Sequence, residues 1–381
     1  MMNSRMLGPR WHRVLLGACV LALLAACAGG PDKPKPAELA PNAALIGVRL
    51  AWSTKIGAVN FPLDTSVSAN TVTVAGSDGS MAAIDGASGA DVWRASVGAP
   101  IGGGVGSDGR YAAVVTRSNE LVTLERGREI WREKLGALGF TAPLVAGERV
   151  FVMTADKVVS AYDARSGRRL WTYVRQGEFP LALRQGSVML AVGDTLVVGI
   201  SGRLVGLDPL TGVLRWEAPI ATARGTNDVE RLVDLVGRVS RDGDVVCARA
   251  FQTAIGCVNT ARGNLLWSKP ASGAEGVHGD ADFVFGTESD GKVIAWRRAD
   301  GERAWTSERL RFRGLTAPLV IGRSVAVGDA TGLVHFLSRQ DGSLLTRLPT
   351  DGSPIVAAPV VVGNTLVVVT QNGGVFGFRP D

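Results

Sequence analysis

The side chains that could carry covalent or metal chemistry are few and lie far apart. Three histidines occur: His12 in the apolar leader, and His278 and His335 in separate copies of a repeat described below. A zinc site or a nucleophile–imidazole–acid triad needs several such groups converging, and the spacing offers no such set. Cys19 and Cys27 lie near the N-terminus. Cys247 and Cys257 fall in VVCARAFQTAIGCV, which reads as two successive strands of one hairpin. Two chemistries stay open for that pair, a cross-strand disulfide or two buried thiols, because the strand register decides whether the Cα atoms approach closely enough. The run Gly102-Gly103-Gly104 follows no strand-to-helix pattern, so a phosphate loop is not indicated. Most acidic residues stand in turns, where Asp oxygens accept backbone N–H bonds from two residues ahead. With no converging titratable groups, catalysis is not indicated, and no metal or cofactor is expected.

The elements that hold these residues are short strands. Ala161 to Trp171 reads AYDARSGRRLW: a strand end, an Asp, a polar turn closed by Gly167, and a strand opening on Trp171. Variants recur at Ala83–Trp93, Thr123–Trp131, Gly206–Trp216, Cys257–Trp267 and Ala295–Trp305. Phe336 to Thr346 keeps the Asp341-Gly342 turn but has Thr in place of Trp. The Trp position falls at 52, 93, 131, 171, 216, 267, 305 and 346. A period of about 40 to 45 residues is that of four-stranded propeller blades, and the Asp-Gly turns supply the hairpins. Upstream of each turn lies a second hairpin, as in APLVAGERVFVM at Ala142–Met153.

The two ends complete each other. The chain stops at GGVFGFRPD, where a turn and a Trp strand are due, and VRLAWSTKIG from Val48 to Gly57 is a Trp strand without predecessors. The expectation is an all-β, eight-bladed propeller over residues 45–381, with four antiparallel strands per blade and the ring closed by the N-terminal strand. Closure removes the unpaired edges an open array would leave. The Trp residues read as packing between blades.

Residues 1–26 have Arg5, Arg10 and Arg13 ahead of the apolar run Val14–Ala26, as in a secretory signal that is too short to span a bilayer. Residues 27–44, rich in Pro, Ala and Lys, read as a flexible tether. The net charge of +6 falls to +3 once the three leader arginines are set aside. No basic run with interleaved aromatics appears, so nucleic acid is not expected as a partner.

Leu24-Ala25-Ala26-Cys27 resembles the lipobox of bacterial lipoproteins, which implies cleavage before Cys27, its lipidation, and a firm membrane anchor. Ala28, rather than Asp, favours the outer membrane. The repeat resembles the pyrroloquinoline-quinone-type propeller repeat, found in quinoprotein dehydrogenases and in non-enzymatic relatives, and alone it fixes only the fold. With the lipobox and eight blades, the chain is similar to the BamB family, lipoprotein subunits of the machine that inserts β-barrel proteins into the outer membrane. FPLALRQGS at Phe179–Ser187 resembles the family's LxLRG segment and puts Leu181, Leu183 and Arg184 on its partner-binding positions. VERLVDLVG at Val229–Gly237 resembles its second segment and puts Asp234 on the first functional Asp, with Val236 at the second and Asp228 nearby. The resemblance implies a scaffold facing the periplasm that binds the periplasmic domains of a central BamA-type barrel subunit, with unfolded barrel proteins as further candidate clients. Leu181 and Leu183 would give apolar burial, and Arg184 and Asp234 a polar rim. A dehydrogenase would need a metal site, a catalytic Asp in the central funnel and a vicinal cysteine pair, none of which is visible. A generic lipoprotein propeller binding another protein or glycan would differ only at the two loops.

Overall fold

In the computed structural model, residues 34–61, 63–175, 182–222 and 232–381 are described. The chain falls into two units, residues 1–36 and residues 37–381, and the second carries all the strands among the described residues. Its 32 strands form eight four-stranded antiparallel sheets arranged as a propeller. Blades 1 to 7 span residues 66–96, 101–134, 144–174, 189–219, 235–270, 277–307 and 319–349; blade 8 combines residues 360–380 with the N-terminal strand. That strand, β1 (Val48–Lys55), pairs antiparallel with Gly374–Pro380, from Val48 opposite Pro380 to Lys55 opposite Gly374. The expected closure is therefore present. First strands of successive blades share a central cavity of about 260 Å³, bounded by Ser66, Val105, Leu144, Met189 and Val239, so the first strand of each blade is innermost and the fourth outermost.

At seven of the eight seams one blade is fastened to the next in the same way. The turn glycine has positive φ, +73° at Gly167 and +72° at Gly301, and its missing Cβ makes room for the indole of the preceding blade. A Cβ on Gly301 would lie 2.4 Å from Trp267, and one on Gly167 2.8 Å from Trp131. The indole N–H then donates to a carbonyl in that neighbouring turn: Trp52 to Gly86, Trp131 to Ala164, Trp171 to Pro209, Trp267 to Arg298 and Trp305 to Arg339, at 2.7–3.1 Å. Opposite each Trp, across the strand pair, stands a small residue: Gly377, Ala83, Thr123, Ala161, Gly206, Cys257 or Ala295.

Blade 7 reverses this arrangement, with Phe336 opposite Thr346. The next blade has the chain ends where its turn would be, so there is no turn glycine to receive an indole. The aromatic bulk has moved one strand inward, and both residues are buried.

Two sequence readings are refined. Cys247 and Cys257 stand directly opposite each other, with Cα atoms 3.9 Å apart, and form a disulfide. The tether expected over residues 27–44 is cut short at its C-terminal side, because residues 37–44 lie along the ring. Ala37 N–H donates to Arg311 O at 2.9 Å, Leu39 packs against Leu310 and its neighbours, and Asn42 forms a two-way pair with the Arg347 backbone at 3.1 Å each way. Polar backbone groups on a Pro-containing segment find partners here, which composition could not foretell.

Candidate protein-docking face

The connections between blades, together with the turn joining the second and third strands of each blade, lie on one face. Three of them meet at the family-like loops. Residues 182–187 lead into blade 4, residues 232–234 lead into blade 5, and Thr154–Lys157 is the turn joining the second and third strands of blade 3. Asp234 ties them together. Its Oδ2 accepts from Lys157 Nζ at 2.6 Å and from the Leu183 backbone N–H at 3.1 Å, and its carbonyl accepts from Phe251 N–H at 2.9 Å.

Asp234 is only 5% exposed, which corrects its expected place on a polar rim. It is a buried staple: a carboxylate paired with an ammonium out of water is held by geometry and extra hydrogen bonds, and it positions the Leu183 backbone. Leu183 is half-buried beside it. Arg184 is exposed, with its guanidinium 5.9 Å from the Phe140 ring centroid, within reach of a cation–π contact. Leu181 and Asp228 lie outside the described residues, and so do the first three residues of the second family-like segment. The structure thus brings Leu183, Arg184 and Asp234 together, with only Arg184 fully presented.

The loop is pinned at further points. Gln185 Nε2 donates to Ala274 O at 2.9 Å, Gly237 N–H to Gly186 O at 2.9 Å, and Ser187 N–H to Thr141 Oγ1 at 3.0 Å. Val236, where the family pattern has a second Asp, is fully buried in an inner strand opposite Arg249. That buried cation finds its carboxylate in Glu288, Nη1 to Oε1 at 2.8 Å. Burial pushes Glu288 up, but Arg249 and the Ser272 donors outweigh it and hold its pKa below the ordinary value.

Sequence reasoning missed Lys157, which lies 77 residues from its partner. A signal was present: Lys157 adopts φ +63° at a turn position where blades 1, 6, 7 and 8 have Gly79, Gly291, Gly332 and Gly373. A lysine held in the left-handed region is strained and needs a compensating contact.

The channel side carries a separate set of charges. Burial raises Asp64 against the opposing pull of Arg238, lowers Arg238 to about 10, and raises Glu275 to about 7. His278 is lowered to about 3 by burial and by the cations Arg238 and Arg298; its Nδ1 accepts from Val320 N–H at 3.2 Å and is engaged. His335 is wholly buried against Asp329 at 2.8 Å. Among the described residues, no three His, Cys, Asp or Glu side chains converge as metal ligands.

Comparison with known proteins places this geometry. The family model described as "Outer membrane protein assembly factor BamB" matches residues 77–307. The outer membrane protein assembly factor BamB of Burkholderia pseudomallei is 38% identical over 370 residues, covering 95% of this chain and 97% of its own. The crystal structure of BamB from Moraxella catarrhalis superposes with a TM-score of 0.78 at 27% identity, covering 87% of this chain and 99% of that one. The quinohemoprotein alcohol dehydrogenase of Comamonas testosteroni shares only the fold, with a TM-score of 0.69 at 15% identity over 90% of this chain and 79% of that one. The matched span, and an identity that runs through nearly the whole length, place the chain in the BamB family of outer membrane protein assembly factors.

Proposed function

We propose that this chain is a non-catalytic scaffold subunit of the machinery that assembles β-barrel proteins into the outer membrane. It docks through the Leu181–Arg184 loop onto the periplasmic domains of the central barrel-forming subunit. The observation that carries this reading is the pre-organised loop: an exposed Arg184 beside a half-buried Leu183, with the Leu183 backbone bonded to the buried Asp234–Lys157 pair. The loop then loses little ordering entropy when a partner binds, which is how fixed loops gain affinity, and arginine is among the residues most frequent at binding hot spots. Cys27 would carry the lipid that anchors the protein to the outer membrane, and the propeller would face the periplasm. Unfolded barrel segments are further candidate clients, through pairing with exposed strand edges.

The test is a pull-down of the tagged protein from detergent-solubilised envelopes. Wild type should retain the central barrel subunit. A variant combining Leu181→Ala, Leu183→Ala and Arg184→Ala, shown by circular dichroism to be folded, should lose it. Retention by that variant would move the docking site elsewhere, and failure of wild type where the complex survives would end the scaffold reading.

A further inference from the structure

We propose that the seam between blades 7 and 8 is a binding groove for an aromatic side chain presented by an extended peptide with a carboxylate beside it. At the other seven seams a tryptophan from one blade lies on the turn glycine of the next. Here the receiving turn is replaced by the chain ends, Val48 opposite Pro380, and the tryptophan position holds Thr346. Phe336 restores bulk inside blade 7 but does not cross to a neighbouring turn.

Beside these chain ends lies a cavity of about 540 Å³, walled by Ile46, Val48, Ile321, Phe336, Leu345 and Phe378 among others. That is within the range of sites that bury a ligand. Its walls include three arginines and no acidic residue. Two of the three are engaged. Arg339 pairs with Asp280 at 3.1 Å, and Arg379 donates to Thr365 Oγ1 at 2.7 Å. Arg323 is exposed and forms no ion pair among the described residues. An aromatic ring fits what every other seam buries, and a carboxylate fits the unspent guanidinium. An extended backbone fits as well, because the chain already runs in this way beside the groove, with Leu45 N–H donating to Leu345 O at 2.8 Å.

Strands of outer-membrane barrels carry girdles of aromatic residues, so an unfolded barrel strand is the class of peptide proposed. That last step rests on the assembly role, whereas the binding measurement below does not, and the groove can fail while the docking loop stands.

The full chain in lipid nanodiscs would be titrated into a dye-labelled heptapeptide with a central tryptophan flanked by aspartate, read by fluorescence anisotropy. Saturable binding is expected, lost when the peptide's tryptophan becomes alanine. Arg323→Gln, a surface change, should weaken it about tenfold, as for a charged hydrogen bond. Ile321→Trp, at a half-buried wall position, places an indole in the groove itself, so it should abolish binding while its thermal midpoint stays near that of wild type. No binding, or binding indifferent to both variants, would overturn the proposal. So would displacement by laurate with no dependence on the peptide's aromatic residue, which would assign the groove to acyl chains.

Discussion

Asp234 shows how a residue can matter to a docking face without touching a partner. Its carboxylate and the Lys157 ammonium have side chains 7% and 6% exposed, so removing one charge strands the other in a desolvated place. Breaking such a pair costs about 3–5 kcal/mol. Asp234→Asn should therefore lower stability by several kcal/mol in urea denaturation and loosen the loop before Arg184. The double variant Lys157→Met, Asp234→Asn removes both charges and keeps an acceptor for the Leu183 N–H, so it should recover most of the loss; a double-mutant cycle measures the coupling. A second residue-scale prediction concerns acid. His278 is held neutral, with its pKa lowered to about 3 by burial and by Arg238 and Arg298. Between its unfolded value near 6.5 and about 3 the unfolded chain binds the extra proton. Its contribution is thus complete above about pH 6.5 and declines as pH falls toward 3. His278→Gln, whose side-chain oxygen can still accept from Val320 N–H, should flatten the pH dependence of the thermal midpoint in that window. An unchanged slope would show that other groups set it.

At the scale of the blade, the fastener of turn glycine and indole ties local conformation to the ring. Gly301 meets two demands at once, φ +72° and a Trp267 ring where its Cβ would stand. Gly301→Ala should therefore destabilise by more than the usual Gly-to-Ala strain, about 2–3 kcal/mol in a thermal or urea measurement. A glycine free of an indole, such as Gly322 at φ +55° with open space around it, should lose only about 1 kcal/mol. Equal losses would show that the backbone, and not the seam, sets the cost. This level of structure was the most legible in the sequence, because turn chemistry and a fixed aromatic spacing are local signals. Thr346 read only as an exception; its reason, an absent turn in the following blade, appears once Phe336 is seen opposite it. The disulfide stayed undecided because cross-strand register is not local. Asp234 was found through its loop motif and its role misjudged, since its partner comes from another blade.

At the scale of the whole ring, the question is what the N-terminal segment contributes. Val48–Lys55 satisfies the outward backbone groups of Gly374–Pro380, and residues 37–45 add hydrogen bonds to blade 7 and to the connection that precedes it without completing a sheet. The sequence made the first role clear, because two incomplete repeats at the ends add up to one. It hid the second, because a Pro- and Ala-rich stretch carries no strand pattern and its partners, Arg311, Arg313 and Arg347, lie about 300 residues away. The two contributions separate by stepwise truncation. A chain beginning at Ala37 should keep the wild-type midpoint. One beginning at Ile46 loses the Asn42–Arg347 pair and the Ala37 and Ala40 contacts, and should melt a few degrees lower while staying monomeric. One beginning at Gly57 leaves a three-stranded last blade with an open edge, which templates pairing with another chain. It should associate or aggregate by size-exclusion chromatography with light scattering, and a peptide spanning residues 46–56 added in trans should return it to a monomer. If that chain were monomeric and as stable as wild type without the peptide, the ring would not depend on its closing strand, and the two half-repeats would lose their structural meaning.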